Sequence, residues 1–392
     1  MPEGPTTAEG PLSSLSFRSD PTMNTTEISP STSAAQAERR DAFLDQLLKD
    51  AEGLFRLTSI YLGDQLGLYT ALSTYGAQTS VELADRTDTD PRYVREWLEQ
   101  QTAAGVLTTN EAERPDDARR YQLPPGHDEV LVDAESLNFL APLAQIALGA
   151  IRPLDALVGA FRSGAGIPYA EYGRDLHEGQ ARMNRNAFLQ ELPTTWLSAM
   201  PDVVARLEAG GCVADVGCGH GWSSIGLAAH YPSVMVDGID PDEASVEAAR
   251  RHTEAHGVAD RVRFFPADAG DFADEARGST YDLVLALECV HDMSDPVRVL
   301  SEMRRLAGPD GAVLVMDERA GEAFDARTEI EPFLYGFSVT HCLPVGRVDD
   351  PAVGTGTVMR PDTFRAYAEK AGFSSVEVLP IDNFFFRFYR LQ

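Results

Sequence analysis

A glycine-rich run behind a short apolar segment limits the possible folds of this chain more than any other feature. The run reads Asp215-Val216-Gly217-Cys218-Gly219-His220-Gly221, and a stretch of helical character begins at Trp222. Glycine allows the backbone to approach a bound molecule where a Cβ atom would clash. The first turn of a following helix offers unpaired N–H groups to an anionic group. The pattern therefore predicts a strand, a tight loop and a helix arranged around a small ligand.

The spacing of the glycines indicates which ligand to expect. A dinucleotide-binding loop has the pattern G-x-G-x-x-G, whereas this loop reads G-x-G-x-G and has Trp222 where the third glycine would stand. The acidic Asp215 beside the loop suits a cofactor with an amino group and a sulfonium, and it suits a pyrophosphate poorly. S-adenosylmethionine is such a cofactor, and Asp215, Gly217, Cys218 and Gly219 are its predicted contacts. An NAD-dependent enzyme is the weakest alternative.

Short apolar segments alternate with helical stretches from Cys212 onward. Strands are expected near residues 212–217, 234–239, 261–265, 281–287, 311–317, 375–380 and 384–390. Such alternation is typical of an α/β fold with a mostly parallel sheet. Ligands of these sheets bind in the crevice outside the carboxyl ends of the strands. The residues that follow each strand are therefore the candidate site.

Acidic residues follow three of these strands. Asp240 and Pro241 come after the second strand, where a carboxylate can hold both ribose hydroxyls of a nucleoside. Asp268 and Ala269 follow the third strand, where Asp268 can accept from an adenine amino group, and Glu288 ends the fourth. Each acid alone could instead cap a helix or lie in a solvated loop. Their order along the chain favours a cofactor that contains a nucleoside, which supports S-adenosylmethionine.

Together these motifs resemble a known family. Residues 205–392 resemble a class I S-adenosylmethionine-dependent methyltransferase, and the chain beyond its N-terminal tail is similar to the actinobacterial small-molecule methyltransferases with an N-terminal winged-helix domain. The resemblance implies a seven-stranded, doubly wound α/β sheet whose last strand is antiparallel. It also implies a homodimer formed through the N-terminal domain. The expected reaction is methyl transfer to an oxygen, nitrogen or activated carbon of a small molecule in secondary metabolism.

His291 is the candidate catalytic base. The segment from Glu288 to Met293 resembles the L-H-D-W-x-D segment of O-methyltransferases, whose histidine is the general base, but it has Met293 in place of the tryptophan. A sulfonium is already an excellent leaving group, so the enzyme must align the acceptor and remove its proton. An imidazole is suited to this at neutral pH. The alternative is that His291 only caps the following helix. Glu318, after the fifth strand, is expected to orient His291 or contact the substrate, or else to pair with Arg319.

A second histidine, His341, lies in the segment 333–344 beyond the fifth strand and is expected to share a pocket with His291. The dipeptide His291-Asp292 with a histidine further along resembles the phenylpyruvate C-methyltransferases of antibiotic biosynthesis. Those enzymes hold a non-haem iron that binds the keto acid. Two histidines and one carboxylate with open positions form a facial triad. The same three residues could act without a metal, as a base and its hydrogen-bonding partners, and we favour that interpretation.

The N-terminal part of the chain is predicted to form a winged-helix domain. Helical segments, one with Ser80 as its expected N-cap and one after Asp90-Pro91, precede two short strands near 106–109 and 121–123. Winged helices can bind DNA, but residues 64–129 contain thirteen Asp or Glu against six Arg and no Lys. Affinity for a phosphate backbone comes mainly from Lys and Arg. A role in dimerisation or as a lid is therefore favoured over that of a DNA-binding regulator that senses the cofactor.

Composition completes the expected organisation. The chain is divided into a disordered tail (1–38), a winged-helix dimerisation domain (39–133), a helical connector and lid (134–200) and a methyltransferase domain (201–392). The net charge of −28 argues against a nucleic-acid partner. Four cysteines without a C-x-x-C pair favour a reducing cytoplasm, and the longest apolar stretch is too short to cross a bilayer. A methyltransferase fold that catalyses a cyclisation or an elimination is a further alternative.

Overall fold

The computed structural model describes residues 30–270, 272 and 280–392. The chain divides into two units, Met1–Phe55 and Arg56–Gln392. Helix α1 (Pro30–Gln65) contains the boundary between them. Helix α1 begins at Pro30, within the segment 1–38 for which the sequence predicts a disordered tail, and residues 1–29 of that segment lie outside the described residues.

The winged-helix region contains helices α2 (Leu68–Tyr75), α3 (Ser80–Thr87), α4 (Pro91–Ala103) and α5 (His127–Leu131). The predicted N-cap of α3 was wrong, because Ser80 is the first helical residue and Thr79 forms the cap. The Thr79 hydroxyl accepts from the Glu82 N–H at 3.2 Å, and the Glu82 carboxylate accepts from the Thr79 N–H at 2.9 Å. This reciprocal pair is a capping box. The predicted wing strands are reduced to the isolated bridges Gln78–Tyr121 and Thr108–Gln122.

The connector lies across the site as a set of short helices and turns. Its elements are α6 (Pro142–Ala150), α7 (Leu154–Ser163), a 3-10 turn (Tyr169–Tyr172), α8 (Gly173–Gln190), a π turn (Leu192–Trp196) and a second 3-10 turn (Leu197–Ala199). Helices α6 and α8 pack tightly because Gly149 faces the backbone of Leu176, where an added Cβ would overlap. Among the described residues no single helix is long and apolar enough to cross a membrane, although α6 and α7 reach that length together, with a 50° bend between them.

The rest of the chain alternates strands and helices as the sequence predicts. In order, its elements are α9 (Pro201–Glu208), β1 (Cys212–Val216), α10 (Trp222–His230), β2 (Met235–Asp240), α11 (Glu243–Ala255), β3 (Val262–Pro266), β4 (Leu283–Leu287), α12 (Pro296–Ala307), β5 (Ala312–Glu318), α13 (Glu331–Phe337), α14 (Leu343–Val345), α15 (Pro361–Lys370), β6 (Val376–Val378) and β7 (Phe386–Leu391).

These strands form one seven-stranded sheet in the order β3-β2-β1-β4-β5-β7-β6. Strands β1 to β5 are parallel, and β7 runs antiparallel to both β5 and β6. The predicted doubly wound sheet with an antiparallel last strand is therefore confirmed. The strand order reverses between β1 and β4, which is where open α/β sheets bind their ligands. The residues after β1, β2, β4 and β5 consequently meet at one crevice.

Both faces of the sheet are covered by apolar layers. Alternate residues of each central strand enter opposite layers, so that Val213 and Leu285 lie in one core cluster while Ala214 and Val284 lie in the other. A parallel sheet buried on both faces reads as a nearly continuous apolar run. Strand β5 follows this rule through Met316 and then turns polar, which brings two acidic side chains to the crevice.

Candidate active site

The glycine loop after β1 has the conformation that its sequence predicts. Gly217 and Gly221 have φ values of 68° and 80°, in the left-handed region that glycine adopts without strain. A Cβ on Gly217 would lie 2.7 Å from the sulfur of Cys289, and one on Gly221 would lie 2.7 Å from the Phe264 ring. A Cβ on Gly219 would meet no atom within 4 Å, so the loop borders open space there.

Asp215 fixes the loop to the helix behind it. Its side chain is 1 % exposed, and one carboxylate oxygen accepts from the hydroxyls of Ser223 and Ser224, both at 2.6 Å. Burial raises the pKa of this carboxyl above its usual range, although the two hydroxyls oppose the shift. The residue thus ties the first turn of α10 to the end of β1. Its predicted contact with the cofactor stays a prediction.

Asp240 ends β2 and is held by backbone groups on both oxygens. The N–H of Gly219 donates to one oxygen at 2.8 Å, and the N–H of Asp242 donates to the other at 2.9 Å. Burial raises the pKa of Asp240 to about 6, against the effect of these two donors. The carboxylate is therefore fixed beside the glycine loop, where the sequence predicts ribose binding.

Asp268 is less clearly a ligand-binding residue. Its side chain is 47 % exposed, pairs with Arg298 at 2.5 Å and accepts from the Gly270 N–H at 2.7 Å. A bound adenine would have to compete with Arg298 for this carboxylate. Ala269 beside it is buried. The predicted adenine contact of Asp268 stays a prediction.

Glu288 reaches the crevice in a strained backbone conformation. Its φ of 55° lies in the left-handed region, which a non-glycine residue adopts at some cost. Its carboxylate accepts from the side-chain amide of Asn184 on α8, and burial raises its pKa to about 7. Sequence reasoning missed Asn184, because no motif marks a single amide within a long helix.

His291 is buried among three acidic side chains, of which Asp317 and Glu318 are buried and Asp292 is partly exposed. Its Nδ1 is 2.8 Å from Asp317 and 3.1 Å from Glu318, and its Nε2 is 3.3 Å from Asp292. An ionised carboxylate can only accept, so Nδ1–H donates to Asp317 and Nε2 is the atom left for chemistry. Burial alone lowers the pKa of His291, but the surrounding carboxylates outweigh it and raise the pKa well above its usual range.

The structure identifies Asp317 as the partner that sequence reasoning passed over. Glu318 was predicted to orient His291, and it does contact the ring, but Asp317 makes the shorter contact and is 1 % exposed. Burial raises the pKa of Glu318 well above its usual range, with the charge of Asp317 adding to the shift. Asp317 is therefore the carboxylate that balances a positive charge on His291.

His341 lies beside this cluster rather than within it. It belongs to the π turn Ser338–Cys342, packs edge-on against Tyr172 at 4.7 Å and has its Nδ1 3.3 Å from the sulfur of Cys342. Burial lowers the pKa of His341 to about 4. Ligand atoms of His291, Asp292 and Cys342 all lie within 4.8 Å of one another. Two residues of the predicted triad, His291 and Asp292, therefore lie together, and the third residue close to them is Cys342 rather than the predicted His341.

Several polar atoms of this cluster have no hydrogen-bond partner within the described part of the chain. They are an oxygen of Asp292, an oxygen of Asp317, an oxygen of Glu318 and the Nε2 of His341. The contacts of Asp292 and Glu318 with His291 are close but do not have hydrogen-bond geometry. Buried polar groups are nearly always paired. Their arrangement indicates a site shaped for a bound group.

Tyr169 connects the two halves of the crevice. Its ring stacks on His177 at 4.0 Å and lies 5.8 Å from the ring of His341. Burial raises the pKa of the phenol well above its usual range, and the charges of Asp240, Asp242 and Asp292 add to this. The phenol is therefore close enough to Asp240 at the end of β2 and to Asp292 beside His291 for both charges to act on it. Sequence reasoning missed this residue as well.

Comparison with known protein families agrees with this geometry. Residues 213–311 match a family model described as a methyltransferase domain, and residues 57–132 match an Rv2258c-like winged HTH domain. The chain is 29 % identical over 206 residues to a 27-O-demethylrifamycin SV methyltransferase of Amycolatopsis mediterranei, covering 51 % of this chain and 67 % of that protein. It is 26 % identical over 358 residues to a 3-amino-4-hydroxybenzoate 4-O-methyltransferase of Streptomyces cremeus, covering 89 % and 91 %.

Solved structures share the fold across nearly the whole chain. The mitomycin 7-O-methyltransferase MmcR superposes with a TM-score of 0.67 at 20 % identity, over 92 % of this chain and 99 % of that chain. PigF, solved with S-adenosylhomocysteine, superposes with a TM-score of 0.67 at 16 % identity, over 89 % and 98 %. At these identities the likeness concerns the fold.

Proposed function

We propose that this chain methylates an oxygen of a small molecule with His291 as the general base. The chain has the methyltransferase domain and the N-terminal winged-helix domain of class I S-adenosylmethionine-dependent methyltransferases. The observation that carries the proposal is the buried pair of His291 and Asp317, 2.8 Å apart at the carboxyl end of β5. The names of both curated relatives describe methyltransferases of small molecules, and one is a 4-O-methyltransferase. From these names we infer that this chain methylates an oxygen atom and acts in secondary metabolism.

The residues of the crevice fit the cofactor. The loop borders open space at Gly219, and a carboxylate at Asp240 stands beside it, held by two backbone donors. Glu288, held by Asn184, is a second carboxylate for the amino group of the cofactor. When bound, S-adenosylmethionine supplies a methyl group on a positively charged sulfur.

The chain's own residues would then handle the acceptor proton. Nδ1–H of His291 donates to Asp317, so Nε2 faces away from that pair and can accept the proton of an acceptor hydroxyl. The carboxylate of Asp317 stabilises the imidazolium that results. The phenol of Tyr169, which is close enough to Asp240 and Asp292 for their charges to raise its pKa, helps to exclude water.

Two variants separate binding from chemistry. We expect the wild-type protein to bind S-adenosylhomocysteine in calorimetry and Asp240→Ala to lose this binding. We expect His291→Gln to keep it but to lose turnover by roughly 10²–10⁴-fold, the usual contribution of a general base. Turnover is followed as S-adenosylhomocysteine formed from S-adenosylmethionine with a panel of phenols, including 3-amino-4-hydroxybenzoate. Full turnover in His291→Gln would contradict the assignment of His291 as the general base. Unaltered S-adenosylhomocysteine binding in Asp240→Ala would contradict the cofactor assignment.

A second candidate is iron-assisted C-methylation of a keto acid. It is favoured by the unpartnered oxygen of Asp292 and the unpartnered Nε2 of His341, both buried near His291. In this candidate function His291, Asp292 and His341 would hold the iron. The third residue whose ligand atom lies within 4.8 Å of those of His291 and Asp292 is Cys342, and His341 lies beside this group. The iron would supply open positions for a bidentate keto acid. Anaerobic loading with Fe(II), gel filtration and metal analysis tests this, because one iron per chain is expected in the wild type and much less in His341→Ala.

We also propose that the enzyme is a cytoplasmic homodimer formed through its N-terminal helix. The apolar side chains Phe43, Leu48 and Phe55 of α1 are 64–67 % exposed, and an exposed apolar row of this kind marks an interaction surface. The sequence has four cysteines and no C-x-x-C pair, which agrees with a reducing compartment. Light scattering on the full chain is expected to give twice the chain mass and to give the chain mass for Phe43→Glu.

A further inference from the structure

We infer that the winged-helix region positions the cofactor site through helix α8, with Asp64 as the positioning residue. One face of α8 contacts the C-terminal end of α1, and the opposite face contacts the crevice. This role rests on the proposed function, because it concerns the binding of S-adenosylmethionine in that crevice. It gives the winged-helix region a task other than DNA binding.

The spacing of residues along α8 separates the two faces. Successive residues of an α-helix are about 100° apart, so residues seven positions apart point in nearly the same direction. Asp175 and Arg182 form one such pair, and His177 and Asn184 form another. Residues two positions apart are about 200° apart, so the second pair lies on the opposite side of the helix from the first.

The face of α8 toward α1 is held by two side-chain contacts. The guanidinium of Arg182 donates to both carboxylate oxygens of Asp64, at 2.7 and 2.8 Å. The Tyr61 hydroxyl donates to Asp175 at 3.1 Å. The Asp64 side chain is only 11 % exposed. A bidentate pair fixes orientation as well as distance, so these contacts set the rotation of α8 about its axis.

The end of α1 is itself fixed to the winged-helix region. The indole N–H of Trp97 on α4 donates to the carbonyl oxygen of Ser59 at 2.8 Å. Gly63 faces the rings of Tyr69 and Trp97, and an added Cβ at this glycine would overlap both rings. The position of Asp64, one residue further along, is therefore set by the packing of the winged-helix region.

The opposite face of α8 carries the side chains that reach the crevice. The amide of Asn184 donates to the carboxylate of Glu288, which the proposed function assigns to the amino group of the cofactor. Nε2 of His177 donates to the carbonyl oxygen of Tyr169 at 3.0 Å, and the two rings stack at 4.0 Å. The backbone hydrogen bonds of a helix keep its residues in a fixed relation, so the contacts that hold one face of α8 also place the other.

The alternative is that Arg182 contacts a ligand directly. Its side chain lines a cavity of about 610 Å³ between α8 and α11. The other charged residues of that cavity include Arg174, Glu178, Asp242 and Arg251. Asp64 is not among the described residues that line it. Substitution of Asp64 therefore tests the connection to α1 and leaves the wall of the cavity unaltered.

The test measures the affinity of the full chain for S-adenosylhomocysteine by calorimetry. Asp64→Asn keeps the shape of the carboxylate and removes its charge, and it should weaken binding at least about 5-fold. Tyr61→Phe removes only the hydroxyl and should weaken binding in the same direction but by less. In an Asn184→Ala background, Asp64→Asn should cause no further loss, because residues that act through one another do not contribute additively.

Asp202→Asn is the matched control. Asp202 also accepts from one arginine on both oxygens, that of Arg390 at 2.8 and 2.6 Å. Arg390 lies opposite Leu314, nearer the amino end of β5, whereas the crevice is at the carboxyl end. The control should lower the melting temperature and leave the affinity for S-adenosylhomocysteine unchanged.

Weaker binding in Asp64→Asn, with no further loss in the double variant and none in the control, supports the role of Asp64. Unchanged binding in both Asp64→Asn and Tyr61→Phe, an additive loss in the double variant, or an equal loss in Asp202→Asn would overturn it. A loss in Arg182→Gln that is absent from Asp64→Asn would also overturn it, because the guanidinium would then contact the ligand itself. A wild-type protein that binds no S-adenosylhomocysteine would overturn the proposed function as well, which separates the two failures.

Discussion

Replacing Asp317 by Asn should move the pH dependence of catalysis toward acid. The base acts through neutral His291, and its neighbours raise the pKa of this imidazole well above its ordinary value of about 6.5. In the wild type, kcat/KM should therefore rise with pH and reach its plateau only above that raised pKa. The variant keeps the shape of the carboxylate but removes its charge 2.8 Å from Nδ1.

The size of the effect follows from the geometry. Two unit charges about 4 Å apart interact by roughly 4 kcal/mol at an effective dielectric constant of about 20. That energy corresponds to roughly 3 pKa units. Asp292 remains in the variant at 3.3 Å from the ring, so we expect the acidic limb to move down by roughly 1–3 pH units. The plateau should fall by roughly 10²-fold or more, because an amide can also donate and so no longer fixes the ring tautomer.

The assay measures S-adenosylhomocysteine formation from pH 6 to 10 at saturating cofactor with an acceptor from the phenol panel. Glu318→Gln is the matched control. Glu318 lies 3.1 Å from Nδ1 of His291, against 2.8 Å for Asp317, and its charge contributes less than that of Asp317 to the raised pKa of His291, so this variant should shift the limb less. An unchanged limb in Asp317→Asn, or an equal shift in Glu318→Gln, would refute the assignment of Asp317 as the balancing charge.

Two further substitutions test the crevice. Asn184→Ala removes the amide that Glu288 accepts from. The bond is made within the protein, so we expect the free energy of unfolding to fall by about 1–3 kcal/mol. S-adenosylhomocysteine binding should weaken by roughly 10-fold, because about 1.4 kcal/mol of lost positioning of Glu288 corresponds to that factor; normal affinity in calorimetry would contradict this. Gly221→Ala adds a Cβ to a residue whose φ is 80°, and this atom would lie 2.7 Å from the Phe264 ring. The free energy of unfolding measured in urea should therefore fall by about 1–3 kcal/mol. An unaltered unfolding midpoint would show that the loop can relax.

The sheet and the glycine loop could be predicted from the sequence because each has a local signal. Buried strands are continuous apolar runs, and Gly217 and Gly221 occupy positions where the backbone conformation requires glycine. His291 could be chosen as the candidate base because the segment from Glu288 to Met293 resembles the L-H-D-W-x-D segment of O-methyltransferases. Asp317 was not chosen over Glu318, because two adjacent acids at a strand end give no indication of which one turns toward a given ring.

Residues from the connector could not be predicted at all. Tyr169, His177 and Asn184 reach the crevice only because the connector folds over the carboxyl ends of the strands. Their positions depend on close helix packing, such as that of Gly149 on Leu176, and not on a motif. The start of α1 at Pro30 was also missed, because the segment is rich in residues that are common in disordered chains.

Three acidic side chains surround the single imidazole of His291, and this excess of negative charge connects the charge of the acceptor with the presence of a metal ion. Asp292, Asp317 and Glu318 surround one imidazole in a buried site, so an acceptor carboxylate placed roughly 4 Å from Asp292 would be repelled by about 4 kcal/mol. A bound cation would remove that repulsion, whereas a neutral phenol meets none of it. We therefore expect metal-free protein to methylate neutral phenols and to leave keto acids unmodified, and Fe(II)-loaded protein to accept the keto acid. Turnover of phenylpyruvate by protein stripped with a chelator, at a rate equal to that of the loaded protein, would show that the acid cluster does not control the charge of the acceptor.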